Sequence, residues 1–433
     1  MPPRLVPRVV LATLLLALAG CAATEGVPGP PRPGPVSGGD PDGGRLTLAR
    51  TDDRIKTVQL HPVTNETGLP VLSLGSAERL ALSFDLLDEG TGRPLSVYFY
   101  HADRTWRRDL TPSEYLRSFY SDDIRDYRTS GATEVDYVHY TYEFPNSNID
   151  FLLSGNYIVR VTEQGNEREV LLERPFFVSE EAAEVALDFQ SGFSGGASVV
   201  QPIAQLRPGA QLANAQPFDY AVCFARNGRF DQSRCAQDPS LLGLALYQFF
   251  LDRTEAFAAE RPFYEVDLGL LQVGPEIANV DYGTVPDLAV LDLDYARFGG
   301  NVDGVALTGQ PVVASVFRGG GRPDTDGEYV TTRFRFVPAG EQEAGGPVLL
   351  TGAFNAWQLD PALALSWNPA TGTYEGELLL KQGLYLYQYV VEDPAARPEA
   401  LLLQPALYTA LVYVRDLTRI TDRLVAVRSA VSQ

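Results

Sequence analysis

Few residues in this chain have the types that do chemistry. There are three histidines, His61, His101 and His139, and three cysteines, Cys21, Cys223 and Cys235. A metal site needs His or Cys pairs at short ligand spacing, and no histidine here stands at such a spacing from another His or a Cys. His101 and Asp103 have the types of a base and its orienting acid. No serine elbow, activated cysteine or paired glycosidase carboxylates can be assigned with them. Asp324-Thr325-Asp326-Gly327-Glu328 begins like a calcium loop but lacks the later acids and the closing Glu, so it reads as a solvated turn. His139 sits in DYVHYTYEF, where alternate side chains face a core, and reads as structural. These residues predict a protein without a catalytic centre, metal or other cofactor.

The cysteines point elsewhere. Cys223 and Cys235 flank FARNGRFDQSR, in which Asn227-Gly228 is a strong hairpin-turn signal. The spacing predicts a disulfide across that hairpin in an oxidising compartment. Closing so short a loop contributes roughly 3 kcal/mol on a chain-entropy view. Cys21 follows Arg4, Arg8 and an apolar run too short to span a bilayer. Leu18-Ala19-Gly20-Cys21 resembles the lipobox of bacterial lipoproteins. The expectation is a signal peptide over 1–20, a lipidated Cys21, and a Pro/Gly-rich linker over 21–44 whose composition cannot build a core. The residues after Cys21, Ala-Ala-Thr-Glu, contain no acidic run of the kind that marks surface export. Lipid anchoring to the inner face of the outer membrane, in the periplasm, is the expected location.

The elements that must position any site are strands. Runs such as LALSFDLL, LSVYFYHA, VDYVHYTYEF and NYIVRVTE alternate and are bounded by Gly, Pro, Asn and Asp. TPSEYLRSFY is a helical exception, with Thr111 as N-cap, Pro112 at the first position and Glu114 at the third. The 433 residues allow two or three domains. The pattern predicts an all-β chain of three consecutive Ig-like or E-set-like sandwiches over 45–178, 179–327 and 328–433. A net charge of −20 excludes nucleic acid as a partner, because phosphate binding needs clustered cations. Only Lys56 and Lys381 are lysines.

Two resemblances refine this. TGAFNAWQL at 351–359 resembles carbohydrate-binding sandwich modules that accompany glycogen-processing enzymes. That resemblance implies glycan stacking on Trp357, with Trp367 as a second ring. The preferred reading is structural: Phe354 and Trp357 plug the end of the sandwich while Asn355 bonds the turn backbone.

The other resemblance is longer. In order, YFYHADRTW, LTPSEYLRSF, IRDYRTSGAT, YVHYTYEFPN and SGNYIVRV resemble the N-terminal domain of the type IX secretion system plug protein family of Bacteroidota. The matching positions are His101, Asp103, Trp106, Glu114, Tyr115, Leu116, Phe119, Ile124, Tyr127, Ser130, Thr133, Tyr137, His139, Tyr140, Pro145, Ser154, Gly155, Asn156 and Tyr157. Ala102 and Ala132 depart from the pattern, where cysteine and asparagine are expected. RNGRFD at 226–231 and PFYEVDL at 262–268 resemble the middle of that family more loosely. The resemblance implies a non-enzymatic protein that binds the periplasmic end of the giant outer-membrane β-barrel translocon and occludes its pore between transport events. A lipid-anchored glycan-binding protein is the alternative.

Overall fold

The computed structural model describes residues 45–87, 91–243, 246–261, 263–296, 307–391, 401 and 403–432, together with Met1. The expected signal peptide, Cys21 and the linker lie outside the described residues. Strands make up 51% of the structure against 6% helix, so the all-β expectation stands.

Three pairs of facing sheets each enclose an apolar core. In the first, the strands Ile55–Pro62, Leu80–Leu86, Val138–Phe144 and Asp126–Thr129 form one sheet. The other runs Val71–Ser73, Val170–Ser179, Gly155–Glu163, Leu95–Ala102 and Ser121–Ile124. VHYTYEF shows the period of two expected of a half-covered strand, its first, third, fifth and seventh residues being buried. Phe84, Phe99, Tyr140, Tyr157 and Phe176 fill the space between the sheets.

The remaining strands sort differently from the expected boundaries. Ala183–Ser194, Ala197–Pro208, Tyr247–Phe250 and Leu241–Leu242 form one sheet of the second sandwich. Its facing sheet takes Arg229–Ala236 and Tyr220–Arg226 and then the last two strands of the described chain, Ala406–Asp416 and Thr421–Ser432. The third sandwich is nested between them. It has a sheet of Tyr264–Asp267, Leu384–Val391 and Val348–Gly352, and another of Ile277–Asp281, Leu288–Tyr295, Tyr329–Val337, Thr373–Lys381 and Ser366–Asn368.

The expected break at 327/328 therefore does not separate two bodies. Leu288–Tyr295 pairs parallel with Tyr329–Val337 across it, and RGGGRPDTDGEY belongs to the crossover between those strands. A parallel neighbour needs a long connection, which looks like a linker when only composition is read. Likewise ALYTALVYV completes the second sandwich, with Val222 opposite Val412.

Candidate functional site

The family-like motifs of the first sandwich converge on two buried joints. The loop after strand Leu95–Ala102 is wound around Asp103, whose carboxylate accepts from the Thr105 N–H and hydroxyl and from the Arg107 N–H. This turn delivers Trp106 against Phe177 at 5.6 Å, and Phe177 meets Phe230 of the second sandwich at 4.6 Å. The Asp103 carbonyl accepts from Asn156 Nδ2 at 3.0 Å, and Asn156 Oδ1 accepts from the Tyr413 hydroxyl at 2.7 Å. Ser154 donates to Glu180, which also holds Arg423. HADRTW and SGNY thus share one contact with the second sandwich.

His101 belongs to this joint too. Its ring is buried, with Nδ1 2.9 Å from Asp109, and Thr421 of the second sandwich bonds the same carboxylate. Asp103 is engaged with Thr105 and Arg107 instead, so the two do not form a base and orienter pair. Gly155 has φ 151°, and a Cβ there would lie 2.3 Å from His101 Nε2. Glycine is required by both backbone and space.

The opposite sheet faces the third sandwich through a charge cluster. Asp85, from LALSFDL, accepts from Lys381 Nζ at 2.9 Å and from the Tyr329 hydroxyl at 2.7 Å, and its other oxygen lies 2.6 Å from His139 Nδ1. Asp85 and Lys381 are both buried. Burial pushes the Asp85 carboxyl up, but the Lys381 charge and the His139 and Lys381 hydrogen bonds outweigh it and hold it below the usual carboxylate range. Lys381 also donates to the Asp324 carbonyl and lies 4.3 Å over the Tyr137 ring. The faintly calcium-like turn therefore caps an ion pair. Sequence reasoning missed Asp85 and Lys381. The signal was a lone acid inside one apolar strand and one of only two lysines ending another.

The looser motifs meet at a third junction. Cys223 and Cys235 are opposite one another and joined by a disulfide. Asn227 and Gly228 both take positive φ, as a tight hairpin turn requires. A Cβ on Gly228 would lie 1.9 Å from the Thr308 carbonyl oxygen, so only glycine admits this approach. Trp357 Nε1 donates to the neighbouring Gly309 carbonyl at 2.8 Å. Phe263 packs edge-on to the Trp357 ring at 5.5 Å, and the Arg229 guanidinium lies 5.5 Å from its centroid.

Trp357 is thus 7% exposed, its ring at the edge of a cleft of about 530 Å³ that Phe230 and Gln310 also line. Its indole N–H and the Phe263 and Arg229 contacts are spent at the junction. Trp367 leans on Tyr374 at 5.0 Å. Asn355 does bond the turn, accepting from Gly352 N and donating to the Gln358 carbonyl.

Of the remaining motif residues, Tyr115, Leu116, Tyr140 and Tyr157 are core. Ser130 Oγ accepts from the Tyr137 N–H. Glu114 accepts from the Thr111 N–H and hydroxyl, closing the helical turn Pro112–Tyr115. Tyr127 is partly exposed, 5.4 Å from Tyr140. Phe119 is different. It is 67% exposed, on a segment fixed by Arg117 N to Asp150 O, Phe119 N to Asn148 O and Leu152 N to Tyr115 O. Tyr120 is exposed next to it, and Leu152 is exposed at the other end of the ribbon, opposite Tyr115. This ordered ribbon presents Phe119 outward near one end and Leu152 at the other, while Tyr120 rests on Tyr98 at 5.8 Å.

Among the described residues no group of three or more His, Cys, Asp or Glu is placed to hold a metal ion, and no helix is long and apolar enough to cross a membrane.

Fold and contacts define an all-β, multi-sandwich protein whose motif residues build joints between sandwiches. Residues 55–180 match the family model described as the Type 9 secretion system plug protein 1st domain, so the first sandwich is a domain of that plug family. A crystal structure of a hypothetical protein from Parabacteroides merdae ATCC 43184 is 21% identical, covering 90% of this chain and 100% of that one, with a TM-score of 0.78. The fold is therefore shared well beyond the first domain. The BSP domain of a biofilm associated protein (9% identity, 92% of this chain and 61% of that one, TM-score 0.18) carries no argument. Nor does dimeric latent PorU from Porphyromonas gingivalis (9% identity, 87% and 34%, TM-score 0.13). No curated protein matches the chain.

Proposed function

We propose that this protein is a non-enzymatic, plug-like component of type IX secretion. It binds the periplasmic end of the giant outer-membrane β-barrel translocon and closes the pore between transport events. The observation that carries this reading is the plug-family match over the first sandwich, a type IX secretion-associated domain. The joints support a steric mechanism, since buried contacts tie the first sandwich to both others. Phe119, Tyr120 and Leu152 are the proposed contact, as rigidly held apolar groups make good interface anchors. A lipid on Cys21 would hold the body at the membrane and raise its effective concentration there.

The test is a detergent pull-down of the tagged protein from its own outer membranes, with partners identified by mass spectrometry. Recovery of a very large β-barrel, reduced at least tenfold by Phe119→Glu combined with Leu152→Glu, is expected. Absence of any barrel, with glycan-uptake proteins recovered instead, would overturn the proposal.

A further inference from the structure

Between the first and third sandwiches, beside the Gly352–Gln358 turn, lies a cleft of about 230 Å³. Its charges are arranged unevenly. The carboxylates around it are already held: Asp52 by Arg54 at 2.9 Å, and Asp53 and Asp360 by Arg50 at 2.9 and 3.2 Å. Two cations that line it, Lys56 and Arg174, have no carboxylate within ion-pair distance among the described residues. Arg174 places one terminal nitrogen on the Glu173 carbonyl at 2.8 Å and the Thr51 hydroxyl at 3.3 Å, leaving the rest of its fork without a protein acceptor. Lys56 makes no hydrogen bond to any described side chain or carbonyl outside the strand ladder.

The backbone contributes as well. Strand Ile55–Pro62 loses register with Leu80–Leu86 between Lys56 and Gln59, and Thr57 takes φ 52°. A β-branched residue at positive φ is strained, and a bulge changes where the neighbouring side chains point. The Thr57 hydroxyl is tied to Tyr329 at 2.8 Å, which fixes the bulge against the third sandwich. Burial depresses both cations, Arg174 to about 10 and Lys56 below the ordinary lysine value. Beyond the pull of the Asp53 and Asp52 charges on Lys56, neither cation has a direct ion-pair partner on the cleft, and their desolvation is left uncompensated at short range.

We propose that this cleft is a binding site for an oxyanion, a single carboxylate or phosphate group, seated on the Lys56 ammonium and the free edge of the Arg174 guanidinium. The planar fork of arginine suits either oxyanion, and the ammonium adds a point charge from the other wall. The paired Arg50 and Asp360 strap the cleft without using its inner cations. This inference does not depend on the secretion reading, because the purified chain alone tests it.

The experiment is isothermal titration of the full chain with inorganic phosphate and, separately, with glutarate. Saturable one-to-one binding of at least one anion is expected, weakened tenfold or more by Lys56→Gln and by Arg174→Gln, and unchanged by Arg207→Gln on the exposed surface of the second sandwich. Phosphate alone would identify a phosphate site, glutarate alone a carboxylate site, and both equally a general oxyanion seat. If Arg174→Gln fails to fold, Lys56→Gln decides, since that side chain reaches the cleft from a half-buried strand position. Without anion, Lys56→Gln should melt no lower than the parent chain. No saturation by either anion, or equal binding by Lys56→Gln, would overturn the proposal.

Discussion

On its face toward the second sandwich, the first domain offers a broad contact. Trp106, Ile158 and Phe177 pack on Phe230, Leu411 and Leu424, ringed by the Asn156–Tyr413, Glu180–Arg423 and Asp109–Thr421 hydrogen bonds. On its face toward the third sandwich, polar contacts such as Glu66 with Val313, Ala314 and Ser315 and Tyr137 with Gly327 surround one buried charge cluster, in which Lys381, Tyr329 and His139 meet the Asp85 carboxylate. The first joint spreads its stability over many groups, so removing one leaves the others in place. The second concentrates charge where water is excluded, so removing one partner strands the other. The first domain is thereby fastened once by area and once by a specific lock.

Lys381→Met should have the largest effect. It leaves Asp85 buried beside two weaker partners, and losing one member of a buried pair costs about 3–5 kcal/mol. Urea unfolding checks this, and adding Asp85→Leu should recover most of the loss. A cost below about 1 kcal/mol would mean that the lock is no stronger than a surface pair. Trp106→Ala tests the broad joint. It should cost about 3 kcal/mol by opening a cavity, with the first and second sandwiches losing their common melting transition in calorimetry. Tyr413→Phe is smaller, about 1–2 kcal/mol, because it leaves Asn156 Oδ1 unsatisfied at a site otherwise intact. If Tyr413→Phe cost as much as Lys381→Met, the contrast between the joints would fail.

Strand patterns were readable because alternation is local: VHYTYEF carries its burial in its own residues, whereas LALSFDL alternates in sequence yet is buried throughout, Ser83 and Asp85 included. Asn227-Gly228 was readable for the same reason, since φ > 0 at both positions is an intrinsic preference of that pair. Partner choice was not. Nothing in ALYTALVYV says that it pairs with YAVCFAR some two hundred residues earlier rather than with LYLYQYVV nearby. His139 alternates onto the face of its sheet away from the core, beside Asp85 of the neighbouring strand, and that face is covered by the third sandwich. From one strand's alternation, a face covered by another domain and a face covered by a core look alike. Trp357 shows the same limit. An aromatic in a turn invites a ligand until a neighbouring backbone, here at Gly309, is seen to occupy its edge. Phe119 stood among the matched positions, and only its exposure separated it from the structural ones.

The smallest expected effect comes from pH, and it sets two buried aspartates against each other. Asp85 is held below its unfolded value, so its contribution is full at neutral pH and is lost as pH falls below about 4. Asp294, inside the third sandwich, is pushed up to about 6 by burial, against the hydrogen bonds it accepts from Tyr389 and Tyr387. Between that value and the unfolded one, near 3.8, the folded state binds more protons than the unfolded state. Stability from this group therefore rises as pH falls from 7 toward 4, by at most about 1.4 kcal/mol per unit. The parent chain should gain slightly between pH 7 and 5 and then lose stability steeply below 4. Asp294→Asn should flatten the first limb alone, and Lys381→Met should weaken the second. Urea midpoints across pH 3.5 to 7.5 would show this. A midpoint that instead stayed flat from pH 5 to 7 would mean that Asp294 is already ionised in the folded protein and that its two tyrosines outweigh its burial.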